Sequence, residues 1–304
     1  VVVVLVGFAQ FFILDHPVLT STFRNIYALG TINPNVWGSE DPWFGTSSVG
    51  HEHLGAFMIL AQALIAGFLL CRWPRREMSR KALALMWFCC LFTLAFASSR
   101  GAWIGACFSF TALIWAAMKM GRLQQIFKGL FISAGVLLLF LAISDFSFTD
   151  YFHARVEGLM GVFSGKIEDD SALERFKLME LLWNRYAESP LIGWGAGSAG
   201  RIAEGQYLRE LVEGGIVGLI WFLVLIAVCC KVALRLVRNS SDPFGRGLGV
   251  GFLGAVAGLC GQSFFTELFI LTKVGTPFWC IAAIVHKASN LQLRDSFHPA
   301  GAAG

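Results

Sequence analysis

Charged residues are scarce in this sequence. Lys, Arg, Asp and Glu make up 14% of the 304 residues, whereas 56% are hydrophobic and the mean hydropathy is +0.64. Soluble domains carry about 25% charged residues, so the composition excludes an ordinary soluble protein. The net charge of +4 does not indicate nucleic-acid binding. The basic residues cluster in alternate loops, which indicates how the chain is oriented in the membrane.

Motifs for metal binding or thiol chemistry are also lacking. The eight cysteines form no CxxC pair and lie in or beside apolar stretches, which predicts small core residues. His51 and His53 flank Glu52, but residues two apart point to different sides of a helix and no third ligand is evident. We therefore expect no metal and no cofactor. The two histidines are candidates for a polar substrate contact or for proton transfer.

Long apolar runs fill most of the chain. We identify about eight, at residues 1–14, 50–70, 82–97, 101–118, 126–144, 211–230, 248–271 and 274–286. Because a membrane-spanning helix needs roughly 20 apolar residues, the sequence predicts an all-α polytopic bundle forming one transmembrane domain over 1–304. The chain starts inside an apolar run without the basic flank of a signal peptide. We therefore expect residue 1 to be a truncation point, with further spans upstream.

Basic residues occur in alternate loops, which predicts a topology. By the positive-inside rule these loops face the cytoplasm. The opposite, outer side then receives residues 15–49, the turn at 98–100, the long segment 145–210 and the region 267–277. The basic clusters are Arg72, Arg75, Arg76, Arg80 and Lys81; Lys119, Arg122 and Lys128; Lys231, Arg235, Arg238 and Arg246; and Lys287 and Arg294.

The outer loop 145–210 contains an amphipathic helix, predicted over 171–188. One stripe of apolar residues recurs at spacings of three and four, and Pro190 ends the helix. Such a helix lies on the membrane surface or on the bundle. Lys177 and Arg185 lie off the stripe, where they contact lipid headgroups or a substrate. The stripe consists of Leu173, Phe176, Met179, Leu182, Trp183 and Tyr186.

A glycine-rich turn at 193–205 follows this helix. No strand precedes it, so it is not a dinucleotide-binding fingerprint. Its glycines let the backbone turn sharply or approach a neighbour closely, and its N–H groups are suited to binding an anion. Beyond the turn, Arg209 and Glu213 are four residues apart and are expected to pair on a helix.

Arg100 is the other unusual charge, in the short turn between two predicted spans. It has two interpretations. The side chain either reaches lipid headgroups, or faces a cavity and clamps a diphosphate with its forked guanidinium group.

Four segments, taken in order, resemble the O-antigen ligase and polymerase family of bacterial membrane glycosyltransferases. They read FGTSSVGHEHLGAF, SSRGAW, LERFKLMELLW followed by SPLIGWGAGS, and QYLRELVEGGIVGL, and together cover much of 44–225. The resemblance implies a helical bundle in the bacterial inner membrane, an active site at its periplasmic face, a glycan donor on undecaprenyl diphosphate, and no metal.

The resemblance also implies roles for individual residues. Arginines of this family are thought to hold the donor diphosphate, and Arg100 and Arg175 fall on matching positions. Preorganised guanidinium groups stabilise the charge that a leaving diphosphate gains. Family ligases usually carry a histidine shortly before the QYL segment, but this chain has none there. Glu204 is the local candidate for a general base, with His51 or His53 as alternatives.

This departure favours a polymerase, or another branch of the family, over a ligase. We expect Arg201 to be a third, weaker arginine at the site. Gln206 and Tyr207 are expected to position sugar hydroxyls, and Trp194 to stack on a sugar face.

The sequence thus predicts a periplasmic-face glycosyltransferase of polysaccharide or lipopolysaccharide biosynthesis. The acceptor is another lipid-linked repeat, lipid A-core or a protein. The alternative is a transporter or flippase of lipid-linked glycans, for which charges in mid-span and an internal repeat would be expected. A structural or assembly role in the membrane is a third possibility.

Overall fold

The structure is a computed structural model that describes residues 51–96, 99–131, 135, 170–200 and 205–297. At 51, 96, 170–176 and 293–297 it describes the backbone only. The predicted run 1–14 and most of the run 126–144 lie outside the described residues.

All regular structure in these ranges is helical, which confirms the all-α prediction. Five of the helices, α1, α2, α3, α5 and α6, are long and apolar enough to cross a membrane. Residues 123–131 are also helical. The helices are α1 (His51–Leu70), α2 (Glu77–Phe96), α3 (Arg100–Lys119), α4 (Asp170–Glu188), α5 (Gln206–Asn239), α6 (Pro243–Gln262) and α7 (Thr272–Phe297).

Helix α6 is the centre of the bundle. It packs against α1, α3 and α5, and glycines on its surface let the neighbouring backbones come close. A Cβ atom added at Gly251 would lie 2.6 Å from the Cα of Leu64 in α1. No larger residue fits at that contact. Small residues at helix interfaces are what allow spans to associate in lipid, where the hydrophobic effect gives little driving force.

A buried polar group links three of the spans. The Gln62 amide in α1 donates to the hydroxyl of Ser109 in α3 at 2.8 Å, and the indole N–H of Trp87 in α2 donates to the Gln62 carbonyl at 3.4 Å. Gln62 and Ser109 are fully buried. A buried amide without partners is costly, so this group specifies how α1, α2 and α3 are arranged.

The described spans gather two different sets of loops at opposite ends of the bundle. At one end, here called the basic end, Arg122 donates to the carbonyl of Leu70. The ring of Phe244 there contacts Phe68 and Trp73, with centroids 5.4 and 5.2 Å away. The predicted basic loops that begin near 71, 119 and 240 therefore meet at one end. The opposite end, here called the site end, carries the starts of α1, α3 and α5 and the loop 263–271.

Two predicted spans differ from the structure at their ends. The run 248–271 was predicted as one span, but α6 ends at Gln262 and residues 263–271 form a loop. Leu268 and Phe269 of this loop are buried, with Phe269 beside Phe222, whereas Phe264, Phe265 and Ile270 are exposed. Hydrophobicity alone does not distinguish such an apolar loop from the end of a span. The run 274–286 is the first part of α7.

Replacing Ser109 by Ala should lower the free energy of unfolding by about 1 kcal/mol, because the buried Gln62 amide loses its acceptor. The measurement is unfolding of the purified protein in mixed micelles. Thr111→Ala is the control, since the Thr111 hydroxyl is exposed and bonds only to the Cys107 carbonyl of its own helix. Equal effects of the two substitutions would contradict the assignment.

Candidate functional site

Helix α5 is interrupted near its start. Gly215 has φ 62° and ψ −164°, values outside the helical region. The positive φ is one that residues with a side chain rarely adopt. The interruption separates a short polar segment, 206–214, from the long apolar segment 216–239. Peptide groups on both sides of Gly215 consequently lose their partners within the helix.

The loop that follows α4 supplies the missing partners. Its N–H groups at Trp194 and Gly195 donate to the carbonyls of Val212 and Glu213, both at 2.9 Å. In the other direction, the N–H of Ile216 donates to the carbonyl of Pro190 at 2.8 Å. The loop and the interrupted helix therefore stabilise each other, as irregular backbone in a membrane protein requires.

The close approach leaves no space for a side chain. A Cβ atom at Gly215 would lie 2.3 Å from the backbone carbonyl atoms of Leu191, and one at Gly193 would lie 2.5 Å from the carbonyl carbon of Glu213. The sequence predicted that glycines of this turn approach a neighbour closely. At Gly193 that neighbour is α5.

The interruption leaves the polar segment at the site end of α5. The segment 216–239 forms about 36 Å of helix at 1.5 Å per residue. Its uncharged part, residues 216–230, is about 22 Å long, and Lys231, Arg235 and Arg238 follow it towards the basic end. Charged residues therefore flank the uncharged part on both sides, which suits a span whose two ends meet the membrane–water boundary.

Arg209 is the electrostatic centre of this segment. Its guanidinium group lies 2.9 Å from Glu213, as the four-residue spacing predicted, and 2.5 Å from Glu267 in the loop 263–271. It also donates to the carbonyl of Gly200 at 3.4 Å. The three charged side chains are only 14–19% exposed. Arg209 thereby joins α5, the glycine-rich turn and the loop after α6.

Gln206 and Tyr207 have partners within the protein. The fully buried Gln206 donates to Glu210 at 2.8 Å and accepts from the N–H of Phe269 at 3.2 Å. The Tyr207 hydroxyl donates to the carbonyl of Cys260 at 2.8 Å. Both side chains thus hold α5 against the loop 263–271 and α6. Their predicted role towards sugar hydroxyls stays a prediction.

The start of α1 joins the same end through Glu52. Its carboxylate accepts from the Thr266 hydroxyl at 3.2 Å, and its backbone carbonyl accepts from the Gln262 amide at 2.9 Å. His53 follows on α1 and is half-buried. His51 is the first residue of α1, and its side chain lies outside the described residues.

Arg100 is the first residue of α3. The Ser99 hydroxyl caps this helix by accepting from the N–H of Ala102 at 3.2 Å. The next residue, Gly101, is close to Phe265, since a Cβ atom added there would lie 3.2 Å from the Cβ of Phe265. Arg100 is half-buried and therefore lies beside the loop that carries Thr266 and Glu267.

The amphipathic helix is observed as α4. Leu182 is buried with Val212 and Ala199, and Tyr186 packs against this group, so α4 lies against α5. The indole N–H of Trp194 donates to the carbonyl of Arg185 at 2.8 Å, and the Arg185 guanidinium group lies 5.8 Å from the Trp194 ring centroid. Trp194 thereby fastens the glycine-rich turn to the end of α4.

A groove of about 400 Å³ runs along α5 from the polar segment towards the apolar one. Its polar end is formed by Gln206 and Glu210. Its remaining lining is mainly aromatic and aliphatic: Gly218, Trp221, Phe222, Leu225, Phe269, Ile270 and Trp279. A polar end followed by an apolar wall is a shape that suits an amphipathic ligand.

Several predicted site residues cannot be placed. Arg201 and Glu204 lie outside the described residues, and for Arg175 only the backbone within α4 is described. Their roles stay predictions. The part of the chain that the structure describes contains no cluster of three or more His, Cys, Asp or Glu side chains that could hold a metal.

Residues that sequence analysis missed belong mainly to the loop 263–271. Thr266 and Glu267 were counted as part of the apolar run 248–271. The carboxylate of Glu267 near the end of that run was the signal that could have identified them. Glu52 was noted only as part of the His-Glu-His triplet.

A family model described as O-antigen ligase matches residues 84–223 of this chain. The range contains three of the four segments noted in the sequence, namely the turn before α3, α4 with its glycine-rich turn, and the start of α5. The resemblance to this family, whose members transfer glycans in the membrane, is thereby confirmed for that part of the chain. No curated protein matches the chain.

Gly215→Ala should destabilise the protein by about 2–5 kcal/mol, because the new methyl group meets the Leu191 carbonyl and the positive φ is strained. Thermal unfolding in detergent measures the effect. The matched control is Gly214→Ala, since an added Cβ at Gly214 meets nothing within 4 Å. A Gly215→Ala protein as stable as the control would show that the interruption is not required.

Arg209→Met should lower the free energy of unfolding by about 3 kcal/mol, because Glu213 and Glu267 would be left together in a nearly buried position. The control is Lys81→Met, which removes an ion pair to Glu77 whose two side chains are 71% exposed. Such an exposed pair contributes at most about 1 kcal/mol. The two losses are compared by chemical unfolding, and similar values would contradict a central role for Arg209.

Proposed function

We propose, from the match of residues 84–223 to the O-antigen ligase family, that this protein is a periplasmic-face glycosyltransferase of the bacterial inner membrane. It transfers a glycan from undecaprenyl diphosphate to a glycan acceptor, as a polymerase or as a ligase. The observation that carries the proposal is the meeting of the three matched segments at the site end. There α5 holds the glycine-rich turn through backbone hydrogen bonds.

The reaction forms one bond and breaks another. A hydroxyl oxygen of the acceptor attacks the anomeric carbon of the donor glycan, and the bond from that carbon to the diphosphate oxygen breaks. The diphosphate leaves with the bonding electrons. Arg100 and Arg175 would stabilise its growing negative charge, with Arg201 as a third arginine.

The hydroxyl proton must be accepted by a base. Glu204 is our first candidate, and His51 or His53 at the start of α1 is the alternative. Trp194 is half-exposed with its indole N–H already bonded to Arg185, so its ring is held in place for stacking on a sugar. Gln206 and Tyr207, bonded within the protein, would act by fixing the start of α5.

The depth of the polar residues supports surface chemistry over transport. In the described residues the buried polar side chains are uncharged, and the charged group around Arg209 lies at the site end. A transporter would be expected to carry ionisable groups near the middle of its spans.

Purified full-length protein should release undecaprenyl diphosphate from a synthetic undecaprenyl-diphosphate glycan. A ladder of longer lipid-linked glycans from the donor alone would establish a polymerase. Transfer only after lipid A-core is added would establish a ligase. Arg175→Ala should abolish turnover because the leaving group loses a cation, whereas Glu180→Ala, at an exposed position of α4, should keep it.

Correct folding of each variant is checked by its unfolding temperature in detergent. Full activity of a folded Arg175→Ala protein would remove the role assigned to this arginine. No release by folded wild-type protein with donor alone, lipid A-core or a protein acceptor would favour the transporter alternative.

A further inference from the structure

We propose that residues 191–193 form a membrane-docking loop, which inserts into the lipid leaflet at the site end. The partner of this loop is the bilayer itself, at the boundary between its headgroups and its hydrocarbon. This inference goes beyond glycan transfer and does not depend on the reaction.

The loop exposes large apolar side chains where a water-facing loop would carry polar ones. Leu191 is 67% exposed and Ile192 is 74% exposed, and the two are adjacent in sequence. On one flank lies Trp194, and on the other is Pro190, which cannot donate a hydrogen bond from its backbone. Exposed apolar residues occurring singly are ordinary, but a consecutive pair beside an exposed tryptophan is typical of an interaction surface.

The hydrogen bonds to α5 give the depth of the loop. The carbonyls of Pro190 and Leu191 accept from the N–H groups of Ile216 and Val217 at 2.8 and 3.3 Å. These are the first two residues of the apolar segment 216–239, and both are exposed. Leu191 and Ile192 therefore lie at the level at which α5 enters the hydrocarbon.

The exposed surface is continuous with a surface of α5 that suits lipid. Beyond Ile216 and Val217 the same segment exposes Ile220 and Trp221, and then further aliphatic residues along a helix whose composition suits a span. A single apolar surface thus runs from the span onto the loop. The loop is also held rigidly, because the interruption at Gly215 fixes its backbone against α5.

The flanking residues match the chemistry of an interface. Trp194 carries a ring that favours the headgroup level, and Arg185 beside it provides a cation for lipid phosphate. Leu181 is exposed one turn before Arg185 on the same side of α4. Docking would hold the glycine-rich turn at the height of lipid phosphates.

The test places an environment-sensitive fluorescent amino acid at Ile192 of the full-length protein. The protein is reconstituted in vesicles of phosphatidylethanolamine and phosphatidylglycerol. The same label at Ile220 is the reference in lipid, and the label at Glu188, exposed at the end of α4, is the reference in water. Quenching is measured with a nitroxide attached near the headgroup end of a lipid chain and with aqueous iodide.

We expect the label at Ile192 to match the one at Ile220, with blue-shifted emission that the lipid nitroxide quenches and iodide does not. Iodide quenching like that at Glu188 would overturn the proposal. Protection from both quenchers would also overturn it, because a protein segment would then cover the loop. The labelling is repeated at Leu191, so that one poorly folded variant does not decide the outcome.

Discussion

The pairing of an interrupted helix with the loop beside it is the constraint on which the site end depends. Peptide groups freed at Gly215 lie where α5 enters the hydrocarbon, and leaving such groups unpaired away from water costs several kcal/mol each. Residues 190–195 provide those bonds. The loop is in turn fastened to α4 through Trp194 and Arg185. The backbone bonds at one glycine thus fix the positions of three elements.

The interruption also separates the chemistry from the membrane. The uncharged residues of α5 follow Gly215, and the charged side chains of 206–214 precede it at the site end. Arg209 holds this polar segment to the loop 263–271 through Glu267. An arginine suits this position because its planar group bonds several acceptors at once.

Below the site, the spans are held together by other interactions. Close backbone contact at Gly251 and the Gln62–Ser109 hydrogen bond hold α1, α3 and α6 together. The arrangement brings the starts of α1, α3 and α5 to one surface. That surface suits a substrate whose lipid stays in the membrane while its glycan is handled in water, as in the glycan transfer that we propose.

The sequence by itself determined the properties that follow from local composition. Apolar runs identified the membrane helices, the three-and-four spacing identified α4, and the spacing of Arg209 and Glu213 identified their ion pair. Motifs in order indicated the family whose model matches residues 84–223. Only the tertiary structure decided what those residues contact. Glu267 is 58 residues from Arg209, and the glycine-rich turn approaches α5 closely at Gly193. Long-range pairing of this kind has no local signature, because it arises from how the helices pack. The end of α6 at Gln262 likewise has no signature in hydrophobicity, since the loop that follows it is as apolar as a span.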